Sequence, residues 1–154
     1  MRIRSTAFEH NQPIPARYTC EGEDVSPPLI FEEVPAKAKS LVLIVDDPDA
    51  PDPKAPQRTW VHWVLYNLPP DLTGLDEATA TPPRAAVGLN DWQRNDWGGP
   101  CPPIGRHRYF FKLYALDTVI DEREGLTKLD ITEAMIDHVI AQAELVGTYS
   151  RSGD

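Results

Sequence analysis

Proline is the feature that most constrains the fold of this chain. It makes up 16 of 154 residues, about twice the average usage of roughly 5%. Proline lacks a backbone N–H and clashes with the preceding turn of an α-helix, so helix interiors tolerate it poorly. Prolines spaced between short apolar runs therefore favour strands and turns over a helical bundle. We expect a mostly β fold with a minor α component.

Three apolar runs predict the central strands of a sheet. Residues 41–45, 60–68 and 107–116 are rich in β-branched and aromatic side chains, and the first two runs stop before proline-containing turns. The first run contains no polar residue, which is typical of a strand buried on both faces. Residues 3–8 and 29–31 predict weaker strands. The proline-rich stretch that follows the first run, residues 48–56, predicts a loop.

One helix is expected, over residues 131–146. Asp130 and Glu133 form an N-terminal capping pattern, and Gly147 suits the C-terminal end. The apolar face of this helix would consist of Ile131, Met135, Val139 and Ala143. The sequence thus predicts a single domain, residues 1–154, with a β-sheet core and a C-terminal helix packed on it.

The charge balance argues against one class of function. Fifteen Lys and Arg against 24 Asp and Glu give a formal net charge of −9, and no Lys/Arg-rich run is present. Such a domain repels nucleic acid and anionic membrane surfaces, so we expect no nucleic-acid binding. We find no apolar stretch of membrane-spanning length and no signal-peptide pattern. We therefore expect a cytoplasmic protein that is not embedded in a membrane.

The two cysteines, Cys20 and Cys101, leave two alternatives open. They are too few for a disulfide framework or for a structural zinc site. They fit either two reduced thiols or one bridge between distant loops.

Two histidines stand near the starts of predicted strands. Side chains alternate between strand faces, so His62 would share a face with Tyr66, and His107 with Tyr109. Asp47 follows the first apolar run, and antiparallel pairing would bring that strand end beside the start of the next strand. Imidazole, phenol and carboxylate groups gathered there would suit a phosphate or carboxylate ligand. On this pattern alone, each could equally be an ordinary strand-end residue.

Five segments resemble the motifs of one known family. Residues 47–51 read DPDAP, residues 60–69 read WVHWVLYNLP, and residues 98–111 read GGPCPPIGRHRYFF. They are similar to the DPDAP, WxHWxxxNLP and GGPxPPxGxHRYFF motifs of the phosphatidylethanolamine-binding protein (Raf kinase inhibitor protein-like) family. SPPL at residues 26–29 and ELVGTY at 144–149 resemble flanking motifs of its prokaryotic branch. The resemblance therefore covers nearly the whole chain, in order.

The resemblance implies a β-sheet core of that family's type and an anion pocket. The residues that would bind the ligand are Asp47, His62, His107, Tyr109, Trp60, Pro102 and Pro103. Asp49 would brace the adjoining loop, and neither a cofactor nor a metal is implied.

The function implied by the resemblance is non-enzymatic binding of a phosphate- or carboxylate-bearing ligand, such as a phospholipid headgroup or a nucleotide. The alternative is a protein-interaction module that inhibits a kinase or protease. A third interpretation is a hydrolase or a metal-dependent enzyme that uses His62, His107 and Asp47. The chain lacks the G-x-S-x-G, G-x-x-x-x-G-K-[ST] and G-x-G-x-x-G motifs that would support an enzyme. The prokaryotic branch also implies a homodimer.

Overall fold

The computed structural model describes residues 1–152. Within them, nine strands, one α-helix and one 3-10 turn (Ala16–Tyr18) follow one another. The strands are β1 (Arg2–Arg4), β2 (Gln12–Pro13), β3 (Leu29–Glu32), β4 (Ser40–Ala50), β5 (Arg58–Leu68), β6 (Gly74–Leu75), β7 (Ala86–Val87), β8 (His107–Leu116) and β9 (Val139–Tyr149). The helix α1 (Lys128–Met135) lies between β8 and β9. It is too short to cross a membrane, and no other helix among these residues could do so.

The strands form two sheets, which confirms the mostly β prediction. The larger sheet has the order β2-β9-β8-β4-β5-β7, and the smaller has the order β1-β3-β6. Neighbouring strands are antiparallel, except that β2 pairs with β9 in parallel. The three predicted central strands are β4, β5 and β8, which are adjacent in the larger sheet. This adjacency places the ends of the three strands together.

The larger sheet is buried on both faces at its centre. Leu43 belongs to an apolar cluster that includes Phe31 of the smaller sheet. Ile44 belongs to a second cluster that includes Ile131 of α1. Neither Leu43 nor Ile44 has any exposed surface, as predicted for a strand without polar residues.

The C-terminal helix is shorter than predicted. It ends at Met135, so the prediction of a helix over residues 131–146 is wrong for its second half, which lies in β9. β9 pairs with β8 from Val139 opposite Leu116 to Tyr149 opposite His107. These pairs satisfy the backbone groups of β8, and this tertiary pairing outweighs the local helical pattern.

The ends of α1 are also set by other residues than expected. Thr127 is the N-cap: its hydroxyl accepts from the Asp130 N–H, and the Asp130 carboxylate accepts from the Thr127 N–H. This reciprocal capping replaces the predicted pattern of Asp130 with Glu133. Gly147 does not end a helix, because it lies inside β9. A Cβ atom there would lie 2.5 Å from Cγ1 of Ile14, so packing requires the glycine.

The other strand predictions need smaller corrections. β1 ends at Arg4, so residues 3–8 are strand only in part. The 29–31 segment lies in β3 as predicted. β4 continues to Ala50, which places Asp47 inside the strand and shortens the predicted loop.

A β-bulge in β5 changes the direction of one side chain. Val45 pairs with Trp63, but the next residue, Asp46, pairs with Val61. His62 is therefore an extra residue on β5 and has no partner of its own on β4. Such a bulge bends the strand and redirects the side chains on either side of it.

The bulge places His62 on the opposite face from the predicted one. Tyr66 packs in the cluster on the α1 side of the sheet. The His62 ring instead lies 5.1 Å from the ring of Tyr109, which belongs to the cluster on the other side. The prediction that His62 shares a face with Tyr66 is wrong. The bulge is what brings His62 to the side of Tyr109.

Candidate functional site

A cavity of about 340 Å³ opens where β4 ends and where β5 and β8 begin. Antiparallel pairing of the three strands creates this meeting point, as expected from the sequence. The seven predicted ligand-binding residues all line the cavity: Asp47, His62, His107, Tyr109, Trp60, Pro102 and Pro103. Four lining residues were not predicted: Ala50, Pro51, Trp92 and Cys101. The convergence of the seven predicted residues on one cavity is observed, and their role in ligand binding stays a prediction.

Asp47 and His107 form a buried pair beside the cavity. His107 Nδ1 lies 2.6 Å from Asp47 Oδ2. His107 Nε2 lies 2.8 Å from the carbonyl oxygen of Ile104 and 3.1 Å from that of Pro51. A carbonyl oxygen only accepts, so Nε2 must carry a proton. A second proton lies between Nδ1 and Oδ2, and the pair has no net charge whichever atom holds it.

The Asp47 carboxylate is fully engaged within the protein. Its Oδ1 accepts from the backbone N–H of Asp49 at 2.7 Å, while Oδ2 contacts His107. Burial raises the pKa of Asp47, although the hydrogen bonds from His107 and from the Asp49 N–H oppose that rise. Both nitrogens of His107 and both oxygens of Asp47 therefore have protein partners. We interpret the pair as a fixed, neutral part of the cavity wall.

His62 presents a free acceptor atom. Its Nδ1 lies 2.7 Å from the carbonyl oxygen of Gly98, so Nδ1 donates. Burial lowers the pKa of His62 to about 4, which leaves the ring neutral near pH 7. In that tautomer Nε2 carries a lone pair. We find no protein partner for Nε2 within residues 1–152.

Tyr109 lies between the two histidines. Its ring centroid is 5.1 Å from that of His62, edge to face, and 6.4 Å from that of His107, at an angle of 19°. Burial, with the nearby Asp47 carboxylate, raises the pKa of Tyr109 far above its ordinary value, so the phenol keeps its proton. Its hydroxyl, too, makes no hydrogen bond to the described part of the chain. It can donate to a ligand in the cavity.

Two tryptophans form an apolar wall. The ring centroids of Trp60 and Trp92 are 5.4 Å apart, and Trp92 also lies 5.1 Å from His62. The indole N–H of Trp60 is buried and has no partner in the described structure. Such an orphaned donor is costly, and an acceptor on a ligand would relieve it. With Pro102 and Pro103, the tryptophans make the cavity mostly apolar.

Trp92 was missed because it lies in a loop without strand or helix pattern. The buried side chain of Asn90 shapes that loop: its oxygen accepts from the backbone N–H groups of Trp92 and Arg94, at 3.0 and 3.1 Å. Asp91 fastens the loop to β5 by accepting from the Val61 N–H at 2.7 Å. The adjacent Asn and Asp are a turn signal. That signal locates the loop but does not show that its tryptophan reaches the cavity.

Asp49 lies outside the cavity lining. Its carboxylate accepts from the backbone N–H of Arg108 and from the guanidinium group, with three contacts of 2.9 Å. The Arg108 side chain lowers the pKa of Asp49 and keeps the carboxylate charged. This bidentate pair ties β4 to β8 beside the cavity, which is the position expected of a bracing residue.

Cys20 and Cys101 form a disulfide, with Cα atoms 5.4 Å apart. The structure thus decides between the two alternatives left open by the sequence. The bridge joins the segment after the 3-10 turn to the segment that forms one wall of the cavity. Within residues 1–152 we find no group of three or more His, Cys, Asp or Glu side chains arranged to hold a metal ion.

Comparison with known proteins gives consistent matches over almost the whole chain. The family model described as phosphatidylethanolamine-binding protein matches residues 4–150. A UPF0098 protein of Methanothermobacter thermautotrophicus is 50% identical, over 98% of this chain and 99% of its own length.

Two solved structures have the same fold. A phosphatidylethanolamine-binding protein homologue from Chlamydia trachomatis has a TM-score of 0.92 and 46% identity, covering 98% of this chain and 97% of its own. Escherichia coli YbcL, described as a member of the mammalian PEBP family, has a TM-score of 0.88 and 30% identity, covering 98% of each chain. Together with the family model, they show that the chain belongs to the phosphatidylethanolamine-binding protein family.

Proposed function

We propose that this protein is a non-enzymatic binding protein whose cavity takes the phosphate or carboxylate group of a small ligand. We further propose that one proton is bound with the ligand. One observation carries this proposal: His62 and Tyr109 line one cavity, and the His62 Nε2 acceptor and the Tyr109 hydroxyl make no hydrogen bond within residues 1–152. Polar groups that converge in a mostly apolar cavity are typical of ligand sites.

The charges in the cavity explain the role of the proton. The Asp47–His107 pair has no net charge, and His62 is neutral near pH 7 because its pKa is about 4. The cavity itself therefore offers an anion no fixed positive charge. A proton on His62 Nε2 would turn that atom into a charge-assisted donor. The proton can come from water or from the P–OH group of the ligand.

The walls of the cavity restrict the rest of the ligand. Trp60, Trp92, Pro102 and Pro103 provide apolar surface around the polar atoms. A volume of about 340 Å³ admits a headgroup-sized or nucleotide-like ligand but no large one. A few charge-assisted hydrogen bonds would give micromolar to millimolar affinity, about 4–8 kcal/mol. We therefore propose a phospholipid headgroup or a nucleotide as the class of ligand.

The proposal predicts that affinity depends on pH. An anion beside His62 raises its pKa in the complex. Affinity is then greatest at acidic pH and falls as the pH rises through the bound-state pKa, because the proton is taken up on binding. Phosphate itself titrates near pH 6. Phenyl sulfate, whose charge is constant in this range, is therefore the cleaner probe.

The experiment is calorimetric titration with phenyl sulfate between about pH 5 and pH 8, in buffers of different ionisation enthalpy. We expect proton uptake and tighter binding at low pH for the parent. The variant His62→Asn, which can still donate to Gly98, should show neither. His138→Asn is the matched control, because His138 is exposed and pairs with Asp117 far from the cavity. Affinity independent of pH in the parent, or no binding at millimolar concentration, would refute the proposal.

The absence of catalysis is part of the proposal and has chemical support. A histidine with a pKa of about 4 is a weak base near pH 7, and a phenol with a strongly raised pKa is a weak acid. Both nitrogens of His107 are engaged with protein partners. A screen with 4-nitrophenyl phosphate and 4-nitrophenyl acetate tests this. Turnover that disappears in His62→Asn would establish an enzyme.

Protein partners, oligomeric state and location stay predictions. A pull-down tests for a kinase or protease partner, and light scattering tests for a homodimer. The Cys20–Cys101 bridge opposes the expected cytoplasmic location, since disulfides are rare in the cytosol and those found there are often redox-sensing. Cell fractionation would settle the location.

A further inference from the structure

We propose that the Cys20–Cys101 disulfide is a thiol-exchange site, and that its reduction loosens one wall of the cavity and weakens ligand binding. The co-reactant is a small thiol or dithiol. The inference rests on the proposed binding function of the same cavity. It adds to that function a chemical event in the cavity wall that controls ligand affinity.

The bridge is accessible to such a reagent. Cys20 is exposed and Cys101 is half-buried. Thiol–disulfide exchange requires a thiolate to approach a sulfur atom, so access governs its rate. A bridge enclosed in the core would be protected, and this one is not. Because Cys20 is the more exposed residue of the bridge, its sulfur is the atom at which attack is expected.

The bridge holds the segment that forms the wall. Cys101 lines the cavity, and so do Pro102 and Pro103, which follow it directly. The same segment supplies the carbonyl oxygen of Gly98, which accepts from His62 Nδ1 at 2.7 Å. A displacement of this segment would change the cavity wall and remove the contact that keeps Nε2 of His62 free for a ligand.

Hydrogen bonds hold the same segment after the bridge is broken. The backbone N–H of Gly99 donates to Asp24 Oδ1 at 2.8 Å, and that of Cys20 donates to the Pro100 carbonyl at 3.1 Å. The segment itself has no helix or strand pairing before β8 begins at His107. Reduction should therefore loosen the wall without unfolding the domain.

The exchange is a balanced two-electron reduction. A thiolate attacks Sγ of Cys20, the S–S bond breaks, and Cys101 leaves as a thiolate that takes up a proton. A second thiol then attacks the mixed disulfide, which releases Cys20 as a thiol and leaves the reagent as a disulfide. Dithiothreitol supplies both thiols from one molecule.

The expected effect follows from coupling between two sites. Such couplings typically change affinity by about 5–150-fold. Because hydrogen bonds still hold the wall, we expect the lower part of this range, about 5–10-fold weaker binding after reduction. The coupling is reciprocal, so a bound ligand should make the bridge harder to reduce by the same factor.

The test compares the oxidised parent with the parent reduced by dithiothreitol at pH 8 and transferred without oxygen to pH 6. Phenyl sulfate affinity is measured by calorimetry, and amide hydrogen exchange of residues 97–104 is measured without ligand. We expect weaker binding and faster exchange after reduction. Cys20→Ser is the matched control: it should bind as the reduced parent does and should not respond to dithiothreitol. If this variant does not fold, the reduced parent alone carries the comparison.

Each outcome has one meaning. Equal affinity in both redox states, with clear binding to the oxidised protein, overturns the inference and leaves the proposed function standing. Unchanged hydrogen exchange of residues 97–104 after reduction also overturns it, and needs no ligand. No binding to the oxidised protein overturns the proposed function itself. A reduction midpoint shifted by saturating phenyl sulfate, by the factor that calorimetry gives, would support the coupling.

Discussion

Acidification should destabilise this protein through His62 in particular. A histidine in an unfolded chain titrates near pH 6.5, whereas burial lowers the pKa of His62 in the fold to about 4. The fold therefore favours the neutral ring, and its stabilising effect is present above pH 6.5 and lost as the pH falls towards 4. At 1.36 kcal/mol per pKa unit, a difference of about 2.5 units gives a loss of about 3 kcal/mol by pH 4.

The assay is urea unfolding of the parent and of His62→Asn at pH 7 and at pH 4. Other groups titrate in this range, but they do so in both proteins. The difference between the two pH-dependent losses therefore isolates His62. We expect the parent to lose about 3 kcal/mol more than the variant. His138→Asn, which changes an exposed histidine, should behave as the parent does.

Equal losses in parent and variant would refute this reasoning. They would mean that His62 titrates in the fold as it does in the unfolded chain. The cavity would then be far better solvated than the structure indicates. Proton NMR of the His62 ring gives an independent reading, because its midpoint in the folded protein should lie near pH 4.

Three further predictions concern the cavity and its support. Asp47→Ala should lower the free energy of unfolding, measured with urea, by about 3 kcal/mol, because His107 Nδ1 loses its buried partner. Asp47→Asn should lower it less, because the amide can donate to Nδ1. Tyr109→Phe should weaken phenyl sulfate binding by about 0.5–1.5 kcal/mol in calorimetry with an unchanged melting temperature. Gly147→Ala should lower that temperature at a cost of about 1–3 kcal/mol, because the added Cβ meets Ile14.

The central strands were predictable because their apolar runs are short and rich in β-branched or aromatic residues, and because two of the three end before proline. The second half of the predicted helix was not. Residues 139–146 place apolar side chains at both helical and strand spacing, and Ala141, Ala143 and Leu145 alternate into the core of the sheet. Whether residues 139–146 form a helix or a strand depends on β8, whose residues are far away in the sequence. β8 offers β9 backbone partners along its length, with one irregularity between Ala115 and Leu116. Local pattern carries no information about that partner.

The residues of the site were easier to predict than its chemistry. Motif resemblance named Asp47, His62, His107 and Tyr109, whereas strand parity alone put His62 on the wrong face because it cannot show a bulge. The protonation states of His62 and His107 could not be predicted from the sequence for a related reason. These protonation states depend on main-chain carbonyl oxygens that contact the imidazoles only in the folded protein. The pattern of side chains in the sequence contains no information about those contacts.

One wall segment controls the chemistry of both histidines. The Gly98 carbonyl makes Nδ1 of His62 a donor and so leaves Nε2 as an acceptor, which is the atom proposed to contact the ligand. The Ile104 carbonyl, six residues later, makes Nε2 of His107 a donor and so commits its other nitrogen to Asp47. Between these two carbonyls lies Cys101, bridged to Cys20. The segment therefore sets the tautomer of one imidazole and the partner of the other, and its covalent anchor lies where solvent can reach it. If the proposed exchange takes place, breaking this anchor would therefore change the hydrogen-bond geometry of both histidines inside the cavity.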